Sequence, residues 1–220
     1  MDDLRFYRIS DNTIGTKGSP WMPTITEGLQ DIYNCKTCRR VIAYAKGDIT
    51  GRLDKEKGTK WSDVLGCGHF PFLIISERVL EAFDKENIQE FPYHRVFIDA
   101  PYPKRLDIST IPNYYWVDGS KMPGAKIDFK ESRFVDNRFC PECGTRTDNI
   151  GATYELQSKG FSYVFKKDTW NGSDLFVTDI SNTAFFCTDK VLKCAKKYKL
   201  TNFHFVPIEK GDELKGIKYL

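Results

Sequence analysis

Four cysteines are spaced as a ligand set. Cys35 and Cys38 close one CxxC turn, and Cys140 and Cys143 close a second, more than a hundred residues later. Each turn offers two thiolates from one tight loop. Two turns complete the tetrahedral four-sulfur shell of a structural zinc ion, with no position left open for catalysis. Gly144, directly after the second turn, has the backbone freedom that lets amides approach sulfur. The spacing predicts one structural zinc on Cys35, Cys38, Cys140 and Cys143, its binding energy serving as folding energy. Two other readings of these thiols stay open. A CxxC pair can be a redox couple, though that chemistry wants the motif at the start of a helix. Here Cys38 leads into RRVIAYA, which reads as a strand, and Cys143 into GTRTDN, which reads as a turn. Unliganded thiols are also common in protein cores.

Other reactive residues are scattered. The histidines are His69, His94 and His204, and none has metalloprotease spacing. Cys67 and His69 are two donors, short of a second metal site. Cys187 ends an apolar run and reads as core, and Cys194 lies beside the apolar stripe of a helix. Neither has the base and oxyanion site a nucleophile needs. Asp63 and Asp174 recur at matching places. They are either an acid–base pair or two turn caps, and their symmetric repetition favours caps. The GTK triplets at 15–17 and 58–60 lack the rest of a phosphate loop. Lys190, Lys193, Lys196, Lys197 and Lys199 crowd one helix. That face is a solvated surface or a docking site for an acidic protein or a phosphate backbone. Tyr114, Tyr115 and Trp116 follow a proline-rich connector and are strand core or exposed anchors.

The elements that must position these residues come in two copies. Residues 70–75 are a continuous apolar run, a buried strand. Ser76 is a helix N-cap type, and Val79, Leu80 and Phe83 follow at helical spacing. A return strand covers 91–98. The order recurs 112 positions later: Ser76-Glu77-Arg78-Val79-Leu80 aligns with Thr188-Asp189-Lys190-Val191-Leu192. A tryptophan and then Asp63 or Asp174 precede each copy, and a CxxC precedes the tryptophan. The reading is an α+β fold of two similar lobes, 1–110 and 111–220, from an internal duplication. The four-cysteine zinc joins them, each half supplying two thiolates. Residues 47–60 read as an exposed excursion, and 70–98 and 184–208 as the repeated strand–helix–strand units.

Composition narrows the function. The 220 residues are 40% hydrophobic, with 16 Phe, 11 Tyr and 4 Trp, enough for a shared core. A net charge of +3 does not point to a nucleic-acid binder. There is no apolar run near the length of a membrane span. The opening MDDLRFYRIS has no signal core, and an odd count of 7 cysteines argues against a fully disulfide-bonded secreted scaffold. A cytoplasmic location is expected.

The two CxxC turns, with LIISERVLEAF after the first and FFCTDKVLKCAKKYKLTNFHFVPI after the second, resemble the double-CxxCG motif family of bacterial immunity proteins. The resemblance spans roughly residues 30–210, with Arg39 in place of the glycine that the name expects after Cys38. It implies a cytosolic, non-enzymatic antidote of a polymorphic toxin system, which binds a cognate protein toxin. The expectation is therefore a zinc-stabilised immunity protein with no membrane partner. The alternative is a nucleic-acid-binding zinc protein, motivated by CPEC, the basic helix and the aromatics.

Overall fold

Ser76 and Thr188 each end a strand and open a helix, with φ/ψ of −76°/161° and −80°/168°. The computed structural model describes residues 5–11, 19–37, 41–54, 58–67, 72–100, 102–128, 131–132, 140–142, 163–179 and 181–208. In chain order the elements are β1 (Phe6–Asp11), β2 (Thr24–Asn34), β3 (Val41–Arg52), β4 (Val64–Leu65), β5 (Ile74–Ser76) and α1 (Glu77–Lys85). They continue with β6 (Tyr93–Asp99), β7 (Tyr114–Val117), β8 (Gly124–Ala125), β9 (Leu175–Thr178), β10 (Ser181–Thr188), α2 (Asp189–Lys197) and β11 (Phe203–Ile208). Two sheets result, in the orders β2-β3-β6-β7-β5-β4 and β11-β1-β10-β9-β8.

The helices form because their apolar residues recur at i, i+3 and i+4. Val79, Ala82 and Phe83 are the buried residues of α1, and Val191, Cys194 and Ala195 those of α2. Both end alike. Asn87 and Lys199 take left-handed φ of 51° and 50°, and the next amides, of Ile88 and Leu200, return to Phe83 and Ala195 carbonyls at 2.9 Å. The N-caps depart from expectation. Neither Ser76 nor Thr188 uses its hydroxyl on its own helix. Each donates to an aspartate instead, because a carboxylate is the stronger acceptor.

Strand β1 comes from the start of the chain but pairs with strands near its end. It lies between β10 and β11, with Phe6 opposite both Thr188 and Ile208. Strand β7 does the reverse, lying between β5 and β6 with Tyr114 opposite both Ser76 and Val96. The helix N-termini are tied to the same strands: Glu77 N donates to Asn113 O at 2.8 Å, and Asp189 N to Arg5 O at 3.2 Å. Each sheet thus draws one strand, β1 or β7, from the stretch of chain that otherwise supplies the other sheet.

A central core fills the space between the sheets and both helices. It joins Val64, Ile75, Val79, Phe83 and Val117 to Ile9, Leu175, Cys187, Val191 and Phe203. Outside it, Met22, Ile49, Ile74, Tyr114 and Trp116 form a second cluster on the first sheet. Phe176 and Phe186 form a third on the other, with Phe6, Phe165 and Trp170 packed against them. The first sheet is larger because β2 and β3 add to it. Residues 47–52, expected as part of an exposed excursion, are the second half of β3, and 49–52 pair in parallel with β6. β2 bulges at Gly28, whose φ of +87° and close approach to Asp48 O exclude a side chain: a Cβ there would sit 2.4 Å from that oxygen.

The α+β class is as expected and its strands form two sheets, but the expected zinc joint is not found. Among the described residues no group of three or more His, Cys, Asp or Glu could hold a metal ion. What joins the two sheets among the described residues is the crossing of β1 and β7 and the packing of α1 on α2 in the shared core. No helix among the described residues is long and apolar enough to cross a membrane.

Candidate interaction surface

The cysteine turns meet in part. Cys35 and Cys140 are both buried, with their Sγ atoms 3.5 Å apart. The Thr37 backbone N and Oγ1 donate to Glu142 Oε2 at 3.1 and 2.7 Å, so the turns also interlock beside the thiols. Cys38 and Cys143 lie outside the described residues. Two sulfurs are half of a tetrahedral shell. Because no group among the described residues could hold a metal ion, the expected zinc is withdrawn as a cofactor, and with it the description of the protein as zinc-stabilised. Of the Cys67 and His69 pair, Cys67 is fully buried and His69 lies outside the described residues.

Asp63 and Asp174 are structural hubs. Asp63 is 5% exposed. Its Oδ1 accepts from Ser76 Oγ at 3.0 Å, and its Oδ2 from Arg78 Nη1 at 2.7 Å and from Thr201 N and Oγ1 at 2.7 and 2.9 Å. Asp174 repeats the pattern, accepting from Thr188 Oγ1 at 2.9 Å and Lys190 Nζ at 2.8 Å. The cations then reach across. Arg78 Nη2 donates to Tyr198 O at the end of α2, and Lys190 Nζ to Asn87 O beyond the end of α1. Each cation thus neutralises a carboxylate and meets the negative end of the opposite helix. Every donor and acceptor named here is occupied by the cap, which leaves no arrangement for acid–base work.

The lysine-rich helix is largely matched from within. Lys190 pairs with Asp174, Lys193 with Asp189 at 2.5 Å, and Lys197 with Glu86 at 2.6 Å. The hydrogen bond from Lys197, with a second from Tyr198, holds the Glu86 carboxyl below its usual range. That internal pairing weakens both the nucleic-acid reading and electrostatic steering from this helix. The lone thiols are inert. Burial pushes Cys187 far up and Cys194 up to about 11, so both stay protonated.

Of the aromatic triplet, Tyr114 and Trp116 are core, at 0% and 3% exposure. Burial, with Asp63 nearby, raises the Tyr114 hydroxyl far above its usual value, and it donates to Ser62 O at 2.6 Å. Tyr115 alternates onto the other face, where the sequence reading had missed its neighbours. On β6, Val96 packs inward with Ile98 against the same cluster, so Tyr93, Arg95 and Phe97 project from the opposite face by the period of two. Tyr93 and Phe97 are 46% and 50% exposed, the fullest exposure of aromatic side chains among the described residues. Tyr93 meets Tyr115 edge-on at 5.2 Å and Phe91 at 6.1 Å. The Arg95 guanidinium lies over the rings of Tyr115 and Phe97, 5.4 and 5.8 Å from their centroids. The Y-x-R-x-F alternation opposite Val96 and Ile98 was the signal in the sequence.

This face suits protein binding. Exposed aromatics around an arginine, on a sheet interior rather than a loop, are the side chains in which interface energy concentrates. They are pre-placed by backbone pairing on both sides of β6, to β3 and β7, so little order is lost on binding. Residues 28–210 match the family model described as "Immunity protein family (Imm11)". No curated protein matches the chain.

Proposed function

The chain belongs to the Imm11 immunity protein family, and on that premise we propose that it neutralises a cognate protein toxin by binding it. Immunity by binding needs a surface and no catalytic group, in keeping with a family of immunity proteins rather than enzymes. The observation that carries the reading is the β6–β7 face, with Tyr93, Phe97 and Tyr115 around Arg95. A polymorphic toxin system in the bacterial cytoplasm is the setting that fits this role. Residues 1–110 and 111–220 are read as two copies of one unit, the first supplying β6 and the second β7 to the binding face.

The test is co-expression with the candidate toxin encoded beside this chain. Growth rescue and a stable one-to-one complex are expected. The Tyr93→Ala/Phe97→Ala double variant should fold and lose both. Undiminished rescue by that variant would place the interface elsewhere. Neither rescue nor complex with the parent chain would end the immunity reading.

A further inference from the structure

Arg95 carries a charge that the rest of the described chain does not answer. Its Nη1 donates to Tyr115 Oη at 3.3 Å and its Nη2 to Asn113 Oδ1, both neutral acceptors. Its Nε is buried and has no hydrogen-bond partner. The neighbouring acids are turned to other groups. Asp48 Oδ1 accepts from the Arg95 backbone N at 2.9 Å, Glu77 Oε2 accepts from Asn113 Nδ2, and Asp99 pairs with Arg52 at 3.0 Å. A guanidinium has five donors matched to a carboxylate, and an unmet buried donor is costly to keep.

The fold does not require this cation. The second half supplies an internal control, because its β11 pairs with β1 as β6 pairs with β7. Arg95 lies opposite Tyr115, and the residue opposite Tyr7 is Pro207. The capping network of Asp63, Ser76 and Arg78 recurs as Asp174, Thr188 and Lys190, whereas the arginine does not. Groups needed to build a half are present in both; Arg95 is present in one.

We propose that Arg95 is the receptor for an Asp or Glu carboxylate of the toxin, so that the β6–β7 face binds an acidic segment flanked by apolar or aromatic residues. This deepens the proposed function and rests on it. The carboxylate supplies the missing counter-charge, and the rings of Tyr93 and Phe97 screen the pair from water, where it is worth more than at an open surface. The half-exposed rings can turn aside to admit it.

The probe is the blocked peptide Ac-Tyr-Glu-Glu-Tyr-NH2, with Ac-Tyr-Gln-Gln-Tyr-NH2 as its neutral twin, titrated into the full isotope-labelled chain while the Arg95 Nε–H resonance is followed by NMR. The acidic peptide should give a saturable shift, and the neutral one at least about tenfold weaker binding, the loss of one charge-assisted pair. Arg95→Gln should abolish saturable binding and leave distant resonances unmoved. Equal affinity for both peptides, undiminished binding to Arg95→Gln, or the absence of a saturable shift would each overturn the proposal. So would a shift produced by a single-stranded oligonucleotide and not by the acidic peptide. The peptide pair decides the matter on the unaltered chain even where Arg95→Gln fails to fold. If the peptides fail while Tyr93→Ala/Phe97→Ala still abolishes rescue, the surface stands and the carboxylate does not. Discriminating peptides without toxin rescue would separate the two in the other direction.

Discussion

Cys194 Sγ lies 3.5 Å from the carbonyl oxygen of Ala82, the residue 112 positions before it. That interval is also the one that carries Ser76 onto Thr188. The two helices therefore touch at positions separated by the same interval as their N-terminal hydroxyl residues. Small residues suit the crossing, since a larger side chain would push both helices from the shared core.

The capping aspartates should matter to stability and not to chemistry. Asp63→Ala leaves Arg78, Ser76 and Thr201 without their acceptor, at a cost of about 2–4 kcal/mol. The low end is favoured because the Arg78 side chain is 52% exposed. Asp174→Ala should cost less, since Asp174 is 16% exposed and has fewer partners. Chemical denaturation reads both. A variant as stable as the parent chain would contradict the hub assignment.

Strand exchange makes the second sheet depend on the first residues of the chain. Phe6 meets Phe165, Trp170 and Phe176 edge-on at 5.5, 5.2 and 5.5 Å. Phe6→Ala should cost roughly 2–4 kcal/mol, toward the lower part of the range for such truncations because Phe6 is only half-buried. Deleting residues 1–11 should remove hydrogen-exchange protection from β10 and β11 together, because β1 bonds to both. Mass spectrometry would show it. Persisting protection in β11 would mean that the strand holds without β1.

Cys187 and Cys194 should resist alkylation at pH 8 until the protein unfolds. Their pKa values are raised by burial, and the thiolate is the reacting species. Modification of either in native protein at the rate of an open thiol would show that the core opens locally.

Acid should destabilise the fold partly through Asp118. Burial works against its ionisation, but hydrogen bonds from Ser120, Lys121 and His94 outweigh that and lower its pKa. A carboxyl lowered in the folded state stabilises above its unfolded value, about 3.9, and that stability is lost as pH falls through the lower folded value. Asp118→Asn should melt below the parent at pH 7, with the two curves converging below about pH 4. A constant gap from pH 7 to pH 2.5 would remove Asp118 from the acid response.

The exposed face should separate binding from folding. Phe97→Ala should change stability by no more than about 0.5 kcal/mol, as for most surface sites. Its affinity for the toxin should fall roughly tenfold to a hundredfold, as for an interface anchor. Thermal melting and calorimetric titration measure the two. A large loss of stability would return Phe97 to a structural role.

Local chemistry in the sequence determined the two helices and where they start, though not the partner of each capping hydroxyl or the short extent of β5. Apolar spacing around Val79 and Val191, a hydroxyl residue at each helix start and a preceding aspartate are signals within a few residues of one another. The turns at Cys35 and Cys140 were also legible as partners, from their matching CxxC pattern. Tertiary structure alone decided the exchange of β1 and β7, because pairing of Phe6 with Thr188 is chosen among strands far apart in the chain, with no periodicity to mark it. It also decided which tyrosine faces out. Alternation says that Tyr114 and Tyr115 point opposite ways, and only the cluster of Met22, Ile49 and Trp116 on one side of the sheet makes Tyr114 core and leaves Tyr115 beside Arg95.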